Sequence, residues 1–245
     1  MRKRISLLAL LVATLVLSLA GCIRVGGVRT VRGSGPMVTR EMDVTGFTTL
    51  DIGGNFSIIY RQGPEASLTV VMQENLFEYL NTTVRGGSLQ ISTRRNFDTT
   101  NANRPRLYVY APYLTAVDLS GAINASGWDV IQGQSFTIDT SGAASIDIAL
   151  EVTSLNVDAS GAVSLNLDMT VENLDMDVSG AADVRLSGVA NTINIEGSGA
   201  LSIRAGNLEI ESGRVRLSGA ANVYLSSLEN VTVNTSGLAR VREAS

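Results

Sequence analysis

The amino-acid sequence predicts an all-β protein folded as a right-handed, single-stranded β-helix, or solenoid, with coils of about 19–20 residues. Three observations predict this fold. The tripeptide Ser-Gly-Ala recurs at nearly constant spacing, and a period of about 20 residues is typical of solenoids. Apolar and polar residues alternate on both sides of each tripeptide, as they do in strands. The composition, with 24 glycines and 5% aromatic residues, is unlike that of a helical protein.

The chain opens with a segment typical of an export signal. Arg2, Lys3 and Arg4 precede an apolar run over residues 5–19, and Leu19-Ala20-Gly21-Cys22 follows. The run suits a signal peptide better than a permanent membrane span, which needs about 20 apolar residues. Small residues before a cysteine resemble the bacterial lipobox, so we expect a signal peptide over residues 1–21 and a lipid on the Cys22 thiol. The alternative is an ordinary signal peptide with a chance cysteine.

The rest of the chain divides into three predicted segments. Residues 22–45 have glycines but no hydrophobic period, which predicts a lipidated flexible tether. Residues 46–112 alternate in short runs bounded by turn residues, which predicts an N-terminal β region that extends or caps the solenoid. Within this region, residues 74–80 have a short helical pattern and residues 94–106 are the longest predicted loop. The repeat solenoid itself is predicted over residues 113–245.

A corner tripeptide marks each coil of the predicted solenoid. Ser-Gly-Ala begins at six serines, Ser236-Gly237-Leu238 closes the series, and the intervals are 21, 19, 19, 19, 20 and 18 residues. The predicted turn residues are Ser120, Gly121, Ser141, Gly142, Ser160, Gly161, Ser179, Gly180, Ser198, Gly199, Ser218 and Gly219. Glycine suits a corner that needs positive φ or close passage of the next coil. The alanine that follows is expected at a crowded inner edge.

Two columns appear when the coils are aligned on the corner serine. Three residues before it the side chain is always apolar: Val117, Ile138, Val157, Met176, Ile195, Val215 and Val233. Two residues before it the side chain is always polar: Asp118, Asp139, Asp158, Asp177, Glu196, Arg216 and Asn234. Because side chains alternate between the two faces of a strand, the first column is predicted to face the core and the second to face water.

The acidic members of the polar column are the candidate binding residues: Asp118, Asp139, Asp158, Asp177 and Glu196. Stacked about 4.8 Å apart, their carboxylates repel one another and would attract Ca²⁺ or a basic partner. The structural alternative is a solvated face, because a calcium site needs converging oxygens and a single column presents a row. The two interpretations stay open at this point.

Composition excludes several classes of function. Lys3 is the only lysine and the chain has no histidine, so the processed chain lacks an imidazole base and an amine nucleophile. Removing the predicted signal leaves 16 basic against 23 acidic residues, and this negative balance argues against nucleic acid as a partner. The single cysteine excludes an intrachain disulfide. No cofactor and no metal are expected.

Two parts of the chain resemble a known family. The run Val44-Thr45-Gly46-Phe47 with Leu50-Asp51-Ile52, and the later Ser-Gly-Ala corners, are similar to the putative auto-transporter adhesin "head GIN" domain. The resemblance covers about residues 47–241. It implies a β-helical domain with a surface or periplasmic binding role, and it carries no catalytic residues to this chain.

These observations predict a non-enzymatic, membrane-anchored envelope lipoprotein whose solenoid binds or adheres to an envelope polysaccharide or protein. It would be exported and held by lipid to the outer face of the cell membrane or to the outer membrane. The first alternative is a structural, self-associating envelope protein, and its oligomeric state stays open. The second, a β-helical polysaccharide lyase or hydrolase, is disfavoured because the corner intervals leave no room for long groove-forming loops.

Overall fold

The computed structural model describes residues 30–244, so the predicted signal peptide and Cys22 lie outside the described residues. The chain separates into the units Met1–Thr30 and Val31–Ser245, and the fold below is that of the second unit. In the described part it is all-β, with strands and two short 3₁₀ helices, Glu74–Tyr79 and Asn101–Asn103. The strands are β1 (Thr30–Arg32), β2 (Met37–Met42), β3 (Thr49–Gln62), β4 (Ser67–Gln73), β5 (Leu80–Arg85), β6 (Ser88–Thr93), β7 (Asn96–Asp98), β8 (Arg106–Ala111), β9 (Ala116–Ser126), β10 (Ile131–Leu225), β11 (Val231–Thr235) and β12 (Arg240–Glu243).

A parallel stack forms the larger part of the unit. Strand β9 pairs in parallel with β3 on one side and with the start of β10 on the other. Strands β11 and β12 pair in parallel with the end of β10. We call β3, β9, β10, β11 and β12 the parallel stack. Its register brings equivalent positions of successive repeats together, so that Gly142 pairs with Gly121.

The residues of β10 are in β conformation throughout, and they continue the same stacking through several repeats. A Cβ added to Gly142 would lie 2.7 Å from the carbonyl oxygen of Gly121, and one added to Gly219 would lie 2.6 Å from that of Gly199. Side chains 19 residues apart also meet, as Asn194 Nδ2 donates to Asp175 Oδ1 at 3.1 Å. Each repeat therefore lies directly against the next.

The N-terminal strands make the sheet mixed. Strands β6 and β8 pair with β3 in parallel, whereas β2 pairs with β4, β4 with β8, and β5 with β6 in antiparallel fashion. The larger sheet has the order β11-β10-β9-β3-β8-β4-β2, and β1 and β7 form a separate two-stranded sheet. Strand β3 thus extends the parallel stack, and the antiparallel strands follow it.

The hydrophobic core follows the alternation of each strand. The apolar column that the sequence places inward is buried from Val117 to Val215, each residue being at most 2% exposed. Val233 is the exception, because it lies in β11 at the end of the sheet and is 37% exposed. None of the helices in the described part of the chain is long and apolar enough to cross a membrane.

Three local predictions differ from the structure. Within the predicted tether, β2 pairs along its whole length with β4, because an extended segment completes the hydrogen bonds of that strand. The predicted loop 94–106 contains β7, so it is not free of strands. The corner alanines from Ala143 to Ala220 are exposed rather than buried at an inner edge, because the left-handed glycine before each turns the alanine outward.

Candidate functional site

The corner glycines all have a backbone conformation that other residues rarely adopt. From Gly121 to Gly219 their φ angles range from 85° to 109°. Their Cα atoms lie against the corner glycine of the preceding repeat, which leaves no space for a side chain. Of the corner serines, Ser218 donates a hydrogen bond from Oγ to the carbonyl of Gly197 at 3.5 Å. The corners therefore set the turn of the chain.

The predicted acidic column is a continuous ladder that begins one repeat earlier than the sequence indicates. Asp51 of β3 pairs with Asp118 of β9, and Asp118 pairs with Asp139 of β10. We call Asp51, Asp118, Asp139, Asp158, Asp177 and Glu196 the acidic ladder. Asp51 was not among the candidate residues, although the sequence around it could have indicated it. The run Leu50-Asp51-Ile52-Gly53-Gly54 follows the pattern of the later corners, with glycine in place of serine.

Each end of the acidic ladder contacts a polar group that is not acidic. At one end Gln90 Nε2 donates to Asp51 Oδ2 at 3.4 Å. At the other end Arg216 forms an ion pair with Glu196. These contacts offset charge at the two terminal carboxylates and leave the inner ones facing one another.

Three inner carboxylates of the acidic ladder, those of Asp118, Asp139 and Asp177, have raised pKa values. Partial burial is the larger cause at Asp118, Asp139 and Asp177, and neighbouring carboxylates raise the pKa further, as Asp51 does for Asp118. Within residues 30–244, no three Asp, Glu, Cys or His side chains converge as metal ligands do. The geometry is that of a row of mutually repelling groups, and the idea that it binds a cation stays a prediction.

A groove lined by arginines lies near the C-terminal end of the parallel stack. It has a volume of 930 Å³, and its charged lining residues are Arg185, Arg204, Arg240 and Arg242, with Tyr224 among them. We call these five residues and the space between them the arginine groove. Such a concentration of positive charge contrasts with the formal net charge of −4 of the whole chain.

Strand geometry brings the groove residues together. Arg240 and Arg242 of β12 alternate with Ala239 and Val241, which are half-buried against the core, and so point to the same face of the strand. The parallel register places Arg242 beside Tyr224 of β10 and Arg240 beside Asn222. Tyr224 and Arg242 each follow the corner serine of their repeat by six residues. Arg185 and Arg204 occupy the same position in the two preceding repeats.

Two of the groove arginines are paired with one carboxylate. Arg204 Nη1 lies 2.9 Å from Asp183 Oδ1 and 3.0 Å from its Oδ2. Arg185 Nη2 lies 3.4 Å from Asp183 Oδ1. Asp183 therefore fixes the direction of both guanidinium groups and offsets part of their charge.

The other two groove arginines have no partner among residues 30–244. The side chains of Arg240 and Arg242 take part there in no ion pair or hydrogen bond, and the Tyr224 hydroxyl is likewise unpaired. Guanidinium groups are permanent charges with several donors each, and they pair readily with carboxylate, sulfate or phosphate groups. The groove consequently offers unused donors and uncompensated positive charge to an anion.

Sequence reasoning missed the arginine groove, although its signal was present. Alignment on the corner serine puts Asp147, Asn166, Arg185, Arg204, Tyr224 and Arg242 in one column, which changes from acidic to basic toward the C-terminus. The segment 94–106, which the sequence predicts as the longest loop, has its first arginines engaged locally. Arg94 donates to the Glu78 carbonyl, and the Arg95 guanidinium lies 5.6 Å from the Tyr79 ring centroid.

The chain is similar to one described family. The sequence model of the family described as "Putative auto-transporter adhesin, head GIN domain" matches residues 46–184 and 159–244. Together the two matches span the N-terminal β region and every predicted corner. No curated protein matches the chain.

Solved structures share the fold. A "putative lipid binding protein" from Parabacteroides distasonis has a TM-score of 0.72 at 16% identity, covering 89% of this chain and 100% of that one. A "putative adhesin" from the same species has a TM-score of 0.72 at 17% identity, covering 88% and 100%. A "putative adhesin" from Parabacteroides merdae has a TM-score of 0.68 at 16% identity, covering 88% and 99%. At this identity the likeness establishes a common fold alone.

Proposed function

Since this chain belongs to the family described as "Putative auto-transporter adhesin, head GIN domain", we propose that it is a non-enzymatic binding protein of the bacterial cell envelope. It is exported and anchored through lipid on Cys22, as the Leu19-Ala20-Gly21-Cys22 motif indicates. It lies on the outer face of the cell membrane or on the outer membrane.

The architecture that we propose for the stack is a right-handed β-helix. Equivalent residues pair in parallel about 20 positions apart, as Ile138 with Val117 and Asn222 with Arg240. Connections between parallel strands of one sheet are right-handed in about 98% of cases. This architecture supports a binding role, because stacked repeats present long faces of regularly spaced side chains.

The observation that carries the functional proposal is the arginine groove. Two unpaired guanidinium groups, Arg240 and Arg242, lie in an open cleft beside two more that Asp183 positions. We propose that this groove is the ligand site and that the ligand is anionic.

A binding assay with inorganic polyphosphate, a polyanion without sugar or lipid, tests the site. The full-length chain in mild detergent should bind polyphosphate, and the double variant R240Q/R242Q should bind it at least about tenfold more weakly, since each charge-assisted contact contributes about 1.5–3 kcal/mol. The matched control is R106Q/R214Q, which removes the same charge at exposed strand positions outside the groove.

The control separates a local site from general attraction. If R106Q/R214Q weakens binding as much as R240Q/R242Q, the arginine groove is not the site. If the wild-type chain does not bind polyphosphate at low salt, the proposal of an anion-binding protein fails altogether.

Self-association is a second candidate function, favoured by one observation. At the C-terminal end of the sheet, Val233 is 37% exposed and Leu238 is 77% exposed. An open strand edge with apolar side chains can pair with another copy. Sedimentation velocity on the full-length chain should then show a dimer that Leu238→Asp dissociates, and a monomer at high concentration would exclude this function.

A further inference from the structure

Three arginines and one tyrosine of the arginine groove form a single column. Arg185, Arg204, Tyr224 and Arg242 each follow a corner serine by six residues on successive repeats. Repeats in a stack lie about 4.8 Å apart, so the backbones of Arg204 and Arg242 lie about 10 Å apart with Tyr224 between them. Positive charges are thus spaced at intervals along the stack instead of converging on one point.

A second column of hydrogen-bonding groups runs beside the first. Ser202, Asn222 and Arg240 lie two residues earlier in their repeats, on the same strand face, and all three line the groove. Hydroxyl and amide groups of this kind both donate and accept hydrogen bonds. The groove therefore offers neutral polar contacts at Ser202 and Asn222 as well as charge.

Tyr224 adds an aromatic surface at the centre of the first column. Its side chain is half-buried, its hydroxyl has no partner among residues 30–244, and Arg242 lies beside it in register. A tyrosine ring offers an apolar face together with a polar edge. Sugar rings have the complementary character, because their C–H groups form an apolar face that is surrounded by hydroxyl groups.

Resting on the proposed function, we infer that the ligand of the arginine groove is an acidic polysaccharide whose chain runs along the stack. Its carboxylate or sulfate groups pair with Arg204, Arg240 and Arg242, and one of its sugar rings packs on Tyr224. A free phosphate would use one arginine pair and leave the rest of the groove empty. The tails of a lipid would need exposed apolar side chains to pack against. Leu186, the large aliphatic residue that lines the groove, is only 2% exposed.

Calorimetric titration of the full-length chain tests this inference. The probes are oligogalacturonate, dextran sulfate, uncharged dextran, inorganic polyphosphate and phosphatidylglycerol vesicles. We expect binding to oligogalacturonate or dextran sulfate and none to dextran. Tyr224→Ala should weaken glycan binding by about tenfold, because an aromatic stacking contact is lost. Polyphosphate binding should weaken clearly less than glycan binding, since only the tyrosine hydroxyl is lost and the charged arginine contacts remain.

Two further variants control for folding and for the tyrosine hydroxyl. Tyr224→Phe keeps the ring and should retain glycan affinity to within about threefold. Tyr113→Ala removes an exposed tyrosine outside the groove and should leave every affinity unchanged. Thermal unfolding of each variant shows whether a loss of binding reflects a loss of fold.

Three outcomes would overturn the inference. Polyphosphate binding without any acidic-glycan binding would leave the anion site standing and remove the polysaccharide. An equal effect of Tyr224→Ala on polyphosphate and glycan would remove the role of the ring. Binding to phosphatidylglycerol vesicles with no binding to either acidic glycan would assign the groove to a lipid headgroup. If polyphosphate does not bind either, the proposed function itself fails.

Discussion

At the scale of single residues, the corner glycines have a stringent requirement. A corner in this stack needs positive φ, and it also needs the backbone of one repeat to lie against the backbone of the next. Gly142 has φ of 98° and lies directly over Gly121. A side chain at this position would be unfavourable for two reasons. L-residues rarely adopt this φ, and the backbone atoms that the side chain would contact have little room to move.

Gly142→Ala should therefore lower the free energy of unfolding by at least about 2 kcal/mol. For a chain of this size that corresponds to a fall in Tm of about 4 °C or more. Thermal unfolding followed by circular dichroism measures it. The control is Gly133→Ala, which places its Cβ in open space and should change Tm by about 1 °C or less. Equal effects of the two changes would contradict the corner geometry.

The acidic ladder makes a prediction about pH. Burial and neighbouring carboxylates raise the pKa of Asp139 above its ordinary value of 3.8, so the folded chain holds this proton more tightly than the unfolded chain. Asp139 consequently destabilises the folded chain least below that ordinary value, where its carboxyl group is protonated in both states. The free energy of unfolding then falls as pH rises through the raised pKa.

Asp139→Asn removes one charge from the acidic ladder and should raise Tm at pH 7 by about 1–3 °C, since like charges on paired strand positions are destabilising. The gain should shrink as pH falls toward the ordinary value of 3.8, because the raised pKa of Asp139 means that its carboxylate in the folded wild-type chain takes up a proton before that point. Unfolding curves across this pH range measure it. Asp98→Asn, an exposed strand aspartate outside the ladder, is the control, and a gain that is independent of pH would contradict the repulsion.

At the scale of strands and repeats, register is the property that matters most. Residues 19 to 21 apart share a column, as Asn166 and Asp147 do through a side-chain hydrogen bond of 2.7 Å. Because side chains alternate along a strand, a shift of one residue moves every apolar side chain to the opposite face. Whole repeats should therefore be removable, and incomplete ones should not.

Deletion of residues 161–179 removes one repeat of 19 residues and restores a Ser-Gly-Ala corner by joining Ser160 to Gly180. The shortened chain should fold with a cooperative transition. Deletion of residues 161–178 keeps one more residue but shifts the register by one, and it should abolish the transition. Circular dichroism and thermal unfolding measure both. Similar behaviour of the two deletions would contradict a stack of equivalent repeats.

Sequence periodicity predicts the repeats around the corners, but it does not predict strand β2 or the arginine groove. The strands around each corner could be placed because their two columns repeat seven times, from Val117 to Val233. Strand β2 could not be placed, since its pairing with β4 depends on a partner about 30 residues away and leaves no period. The arginine groove was missed for a different reason. Its column does repeat, but the residue type in that column changes from one repeat to the next, and β12 brings Arg240 and Arg242 to it.

At the scale of the whole molecule, charge is distributed unevenly. The acidic ladder occupies the position two residues before the corner serines, whereas the arginine groove lies at positions four and six residues after them. The two sets therefore belong to different strands of each repeat. An anionic ligand would be drawn to one and repelled by the other, so the binding face that we propose is confined to one side of each repeat despite the net negative charge.

The most direct test of this account is hydrogen exchange of the full-length chain, measured by mass spectrometry with and without oligogalacturonate. We expect slower exchange in β12 and in residues 202–207 and 222–226, which line or flank the arginine groove. Exchange around Asp118 and Asp139 of the acidic ladder should stay unchanged. Protection at the acidic ladder, or ligand binding with no protection in β12, would contradict the account.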